Sequence, residues 1–173
     1  MEEVHLMIFH IGPVQEFIAS ARRSRDLWFG SWLLSELSKA AALEIVQQNG
    51  DDLERSLIFP APDSLSALRS DKLNVANRIV AITRKNPQIV GEAVQTRVRG
   101  RLRELSEDAF SRIGNYPLDL DSAMRQIDDL VELFWVSCPL DSDYSKARSR
   151  AEALMAARKV TRDFRPSTWA APV

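Results

Sequence analysis

The chain has one cysteine, Cys138, in 173 residues, so no internal disulfide forms and a reducing, cytoplasmic setting is expected. Cys138 sits in an apolar run, where it reads as a small buried hydrophobe. There are two histidines, His5 and His10, and no Cys–Cys pair, too few ligands for a zinc or histidine-rich metal centre. No stretch approaches the ~20 apolar residues of a membrane helix. Glu2 and Glu3 stand where a secretory signal would carry bases. The formal net charge of −1 gives no global pull toward nucleic acid. There is no P-loop, no dinucleotide fingerprint, no internal repeat, and no ordering of Ser, His and Asp that suggests a triad.

What is present is the composition of an ordinary soluble domain, 45% hydrophobic and 27% charged. The length suits one domain with a real core, roughly 68–70% of the unfolded surface being covered at this size. Residues 4–11 (Val-His-Leu-Met-Ile-Phe-His-Ile) are apolar on both faces, which predicts a central strand. Gly12-Pro13 then opens one long amphipathic helix, with apolar positions at Val14, Phe17, Ile18 and Ala21 and again at Leu27, Leu34, Leu37, Ala41 and Ile45. Gly30 inside that helix costs about 1 kcal/mol against Ala, so either a neighbour packs close or the helix bends there. Asn49-Gly50 ends it. Short strands follow at Leu57–Pro60 and Arg78–Thr83, a helix from Pro87 with Val98, Leu102, Leu105, Ala109 and Ile113 on one face, and a break at Gly114-Asn115-Tyr116-Pro117. A short helix near Asp121–Leu130, a strand at Leu133–Cys138 and a last helix from Asp143 complete the chain. Strand, helix, strand, strand, helices, strand, helix is an α+β order, the ferredoxin-like βαββαβ pattern with extra helices.

Charge is unevenly spread. Arg84 to Arg112 carries seven bases against four acids, Asp119 to Asp143 seven acids against one Arg, and Tyr144 to Pro166 seven bases against two acids. Solvated helix faces account for most of this, with RNA backbone or an acidic partner as the other reading.

The candidate site is the strand-to-helix turn. A helix start beside a strand end offers free backbone N–H groups to an anion such as phosphate. Gly12, Pro13, Val14 and Gln15 are therefore candidate nucleotide-binding residues, the first donor being the N–H of Val14 and a further one the Gln15 amide; a plain strand–helix turn is the competing reading. Ser31, next to Gly30, is a further candidate. Arg22, Arg23 and Arg25 either meet phosphate or RNA or simply face water. Trp28 and Trp32, four apart on a helix, are expected in the core or at a subunit interface rather than stacked on bases.

Four segments in order resemble one family. These are Ile11-Gly12-Pro13-Val14-Gln15 with Asp26-Leu27-Trp28-Phe29-Gly30-Ser31-Trp32-Leu33-Leu34; Ser56-Leu57-Ile58-Phe59-Pro60; Asn74-Val75-Ala76-Asn77-Arg78, with Ala76 where proline is usual; and Phe134–Leu140 followed by Ala157-Arg158-Lys159-Val160-Thr161-Arg162-Asp163-Phe164. They resemble the first palm domain in the large subunit of type III-B CRISPR–Cas (Cmr) effector complexes. The resemblance implies a catalytically degenerate palm over residues 1–142. It also implies a helical extension over 143–173, leading toward a zinc segment and a second palm, so that the chain is expected to be an excised domain or the product of a split gene. In that family the second palm carries a Gly-Gly-Asp-Asp motif and makes cyclic oligoadenylates. ATP would then bind only jointly with that second palm, no metal ligand would come from this chain, and the chain alone would not be an enzyme. The implied partners are the other Cmr subunits and, through them, guide and target RNA. Gly50-Asp51-Asp52 imitates the motif but follows the first helix, and reads as a helix-ending turn. The competing readings are a free-standing RNA-binding ferredoxin-like module and a self-sufficient nucleotidyl cyclase; Phe59 and Trp135, the strand aromatics such a module would use, lie in runs expected to be buried.

Overall fold

The first apolar run forms the strand β1 (His5–Gly12), and both layers of the core are built on it. A computed structural model describes residues 3–113 and 119–161. The elements that follow are α1 (Val14–Ser20), α2 (Ser24–Gln48), α3 (Leu53–Ser56), β2 (Leu57–Phe59), α4 (Leu65–Arg69), β3 (Arg78–Thr83), α5 (Pro87–Ser111), α6 (Leu120–Asp128), β4 (Glu132–Pro139) and α7 (Tyr144–Val160). The strands make one antiparallel sheet in the order β2-β3-β1-β4. That is the α+β ferredoxin-like palm fold, with α1, α3, α4, α6 and α7 added to its two long helices.

Alternation along β1 divides its side chains between two faces. On one face Met7, Phe9 and Ile11 pack with Ile79 and Ala81 of β3 against α2 and α5, which supply Leu34, Leu37, Ala41, Ile45, Val90, Val94, Val98 and Leu102. A buried charge group ties the two helices: Glu36 of α2 pairs with Lys39 and, at 2.8 Å, with Arg101 of α5, while Lys39 also donates to the carbonyl of Ser70. At the far end of α2 the Asn49 amide donates to the Ile82 carbonyl and accepts from Thr83, locking the helix end to β3.

On the other face Leu6 lies between Ile82 and Cys138 and Ile8 between Val80 and Val136, and α7 covers them with Ala147, Ala151 and Met155. A four-residue helical step rises about 6 Å. A two-residue strand step rises about 6.7 Å. Successive residues of the α7 stripe therefore keep pace with successive rows of the sheet.

Side-chain caps start five of the helices, where the chain has Asp, Ser or Asn: Asp52 for α3, Ser64 for α4, Asn86 with Pro87 for α5, Asp119 for α6 and Asp143 for α7. The short helices α3 and α4 have no periodicity long enough to announce them. Gly50 and Asp51 make the turn after α2 with positive φ of 81° and 63°, as the helix-ending reading requires.

Three expectations are corrected. The helix after Pro13 is not continuous: it stops at Ser20, the chain is extended at Ala21 and Arg23, and Asp26 starts α2 by accepting the backbone N–H groups of Arg22 and Arg23 at 3.1 and 3.0 Å. α2 runs through Gly30 without a break, and Gly30 is buried. The first half of α2 is not core. Leu27, Trp28, Phe29 and Trp32 are exposed, Trp28 by 77%, and Phe59 on the edge strand is 46% exposed. For the α2 residues the reason is length. Helices of 25 residues are about 37 Å long, against about 27 Å for the eight-residue β1, so the start of α2 and the end of α5 overhang the sheet. The break at Gly114–Pro117, the bases Arg162 and Arg165, and the C-terminal Trp169–Val173 lie outside the described residues.

Candidate nucleotide-facing site at the end of the first strand

β1 ends in a clamp. The Asn77 side-chain amide donates to the carbonyl of Ile11 at 2.9 Å, and the Ile11 N–H donates to the Asn77 carbonyl at 2.9 Å. The loop that carries Asn77 is anchored in turn by the Val75 N–H, which donates to Ser35 Oγ on α2 at 2.9 Å. Gly12 is the last residue of β1, opposite Glu132 of β4, and does not take a positive φ; the Gly12–Pro13 peptide is cis. Pro13 is the N-cap of α1 and provides no side-chain hydrogen bond, so no side-chain cap occupies the first N–H groups of the helix. Gln15 is exposed and Val14 half-buried. A methyl group on Gly12 would have ordinary room, with His10 Nε2 at 3.9 Å and the Val14 nitrogen at 4.0 Å. Among the described residues, no close approach demands glycine there.

The other sequence candidates are placed apart from this turn. Ser31 is exposed on α2, and no hydrogen bond between described residues joins it to Gly12–Gln15. Arg22 and Arg23 lie exposed in the α1–α2 connection and Arg25 in the first turn of α2, where its Nε is 3.7 Å from Asp26.

Sequence reasoning missed a set of charged residues on the α7 side of the same strand end. His10 continues the Leu6, Ile8 face of β1, and its register partners are Arg78 on β3 and Phe134 on β4. α7 crosses above this row. Its stripe Ala147, Ala151, Met155 reaches Lys159 at the next four-residue step, and Glu152 pairs with Arg78 and, at 2.7 Å, with Arg148. The Arg158 guanidinium lies 5.7 Å from the centre of the Phe134 ring. Burial, then the charges of Lys159 and Arg78, hold the His10 imidazole down at about pKa 4, so it is neutral at pH 7. Burial and the neighbouring Arg78 also push the Lys159 ammonium below its ordinary value. Despite burial, the hydrogen bonds from Arg78 and Arg148 keep the Glu152 carboxyl below the usual carboxylate range. Strand parity plus the 147, 151, 155, 159 spacing was the available signal, but it needs the pairing of β1 with β3 to be read.

Among the described residues no three His, Cys, Asp or Glu side chains converge as a metal-binding group. Asp63 and Asp51 to Glu54 line an open acidic cleft beyond β2. At the overhang, Phe29, Trp32, Leu105, Phe110, Ile127 and Leu130 line an apolar cleft of about 490 Å³. No described helix is long and apolar enough to cross a membrane.

The family described as CRISPR-associated protein Cmr2, N-terminal, matches residues 6–109. No curated protein matches the chain. Among solved structures, the chain superposes on part of a Csm1–Csm4 cassette in complex with pppApApA with a TM-score of 0.54 at 14% identity, covering 94% of this chain and 19% of that one. An apo Csm1–Csm4 cassette gives 0.53 at 16% identity, over 92% of this chain and 19% of that one. At such identities the likeness is one of fold, and the chain spans about a fifth of the chains it resembles.

Proposed function

Starting from the fact that the chain belongs to the Cmr2 N-terminal family and is the N-terminal domain of a type III CRISPR effector large subunit, we propose that it is a non-catalytic palm of the type III-B complex. In this reading it supplies one wall of an ATP pocket whose other wall is a second palm, and it scaffolds neighbouring subunits around guide and target RNA. The observation that carries the reading is the end of β1. A metal-dependent palm needs carboxylates there to hold divalent ions. This chain puts His10 and Arg78 on that row and an uncapped helix start at Val14 beside it. Such a surface favours phosphate through backbone N–H groups and fixed cations rather than through metal. Gln15, exposed at the same turn, is the side chain placed to reach a nucleotide from this wall.

The free-standing RNA-binding reading has less support. Ferredoxin-like RNA modules stack bases on aromatics of an open sheet face. Here α7 lies on that face, Phe134 sits beneath Arg158, and Trp135 faces the helices on the other side.

The test is reconstitution. The remaining large-subunit domains and the other subunits, loaded with guide and target RNA, are assayed for conversion of ATP to cyclic oligoadenylates with and without this chain. The proposal expects activity only when the chain is included, and none from the chain alone. Metal-dependent ATP turnover by the isolated chain, or full activity without it, refutes the proposal.

A further inference from the structure

We propose that Arg78 and Lys159, with His10 beside them, form a metal-independent binding site for a phosphate oxyanion on the α7 side of the sheet. The choice of ligand rests on the nucleotide-pocket reading above; the site itself rests on the arrangement of the side chains.

Among the described residues, Arg78, Arg148 and Lys159 meet one acid, Glu152, at this spot, with Arg158 alongside on the Phe134 ring. Glu152 is shared between Arg78 and Arg148, and Lys159 makes no ion pair with any described residue. The cluster therefore holds an excess of positive charge in a half-buried place, where like charges are weakly screened. The strain is visible in its members: His10 is held neutral and the Lys159 ammonium is disfavoured, each partly by Arg78.

The donors are also incompletely used. A guanidinium grips an oxyanion best with two parallel N–H groups. One Arg78 Nη donates to Glu152, while its Nε–H is buried and has no hydrogen-bond partner among the described residues. The Arg78 side chain as a whole is 35% exposed, so solvent reaches the guanidinium at atoms other than Nε. His10 is adjacent on the same row, and its Nε2 approaches Gly12, which makes the cluster continuous with the Gly12–Gln15 turn. A phosphate held by Arg78 and Lys159 thus lies beside the uncapped start of α1. The neutral imidazole has one N–H to donate and adds no charge that would have to be buried.

The experiment is titration calorimetry on the full 173-residue chain with inorganic triphosphate, in buffer containing EDTA and no divalent metal. The proposal expects saturable binding that weakens with salt, and ATP binding through the same site. Arg78→Gln and Lys159→Gln each weaken triphosphate binding about tenfold, the value of one charge-assisted contact. Glu152→Gln, which removes the competing carboxylate, tightens it several-fold, a gain that a merely damaged fold does not give. Arg103→Gln, at an exposed pair with Asp128 elsewhere on the surface, leaves it unchanged. Lys159 lies on the last turn of α7, so its variant keeps the wild-type melting temperature and serves if Arg78→Gln unfolds. The proposal is overturned if triphosphate does not bind, if Lys159→Gln binds it as tightly as wild type, or if only a short RNA binds. A chain that binds triphosphate but fails to support the assembled complex sinks the palm reading and leaves this one standing. The opposite pair of results does the reverse.

Discussion

The two faces of the sheet are built on opposite principles. Toward α2 and α5 the sheet presents Met7, Phe9, Ile11 and Trp135 to a dry, closely fitted layer whose charged members, Glu36, Lys39 and Arg101, are mutually paired. Toward α7 the apolar rows Leu6–Ile82–Cys138 and Ile8–Val80–Val136 give way, at the last row, to Arg78–His10–Phe134 under Lys159 and Glu152. One face holds the fold together. The other gives up part of its apolar contact, at the end where the candidate site lies, for the cations Arg78 and Lys159, with Arg78 Nε unpartnered among the described residues. The comparison teaches that charge is gathered at one end of one face of the sheet, while the other face stays apolar along its length.

The sharpest way to break the first face is at its centre. Phe9 is fully buried between Ile79 and Trp135, so Phe9→Ala is expected to cost ~3–5 kcal/mol in urea unfolding. The next largest effect comes from a glycine. A Cβ on Gly91 of α5 would lie 2.3 Å from the Trp135 indole, so Gly91→Ala must displace the ring or the helix, and a loss of ~1–3 kcal/mol is expected despite alanine's better helix propensity. The double variant Gly91→Ala/Trp135→Leu should recover part of that loss, because the clash disappears with the ring.

The second face is probed by pH. The folded state holds the His10 pKa at about 4, below its ordinary 6.5, so the unfolded chain binds the proton more readily. Stability contributed by neutral His10 is therefore complete above about pH 6.5 and is lost as pH falls toward 4. Melting temperatures measured from pH 7 to 4.5 should fall more steeply for wild type than for His10→Gln. The smallest effect is expected at Gly12, where a methyl group has room and the φ is not left-handed: Gly12→Ala should change the melting temperature little. A large loss there would show that the turn depends on a conformation the structure does not have.

Much of the architecture could be read from residue patterns. The even apolar run of residues 4–11 marked the central strand, the β-branched Arg78–Thr83 a second, and Asn49-Gly50, Pro87 and Asp143 the ends of helices, each within a residue or two of where the chain places them. What was not legible depended on partners distant in sequence. Nothing near Gly91 announces Trp135, and nothing in the periodicity of α2 says that Trp28, Phe29 and Trp32 overhang the sheet. The break at 21–23 turned on one carboxylate, Asp26, capturing two N–H groups that a helical count assigns to continuing turns. The turn Gly12–Gln15 was visible because it is local. Arg78, Glu152 and Lys159 were not, because β1, β3 and α7 bring together residues from three separate stretches.

The central claim is that this chain forms one wall of a nucleotide pocket. Photo-crosslinking answers it most directly: the effector assembled with this chain and target RNA is irradiated with an azido-ATP analogue, and the labelled peptides are mapped by mass spectrometry. Label within the β1-to-α1 turn at Gly12–Gln15, competed by ATP, is the predicted result. Competable label confined to the other large-subunit domains, with none on this chain, contradicts it.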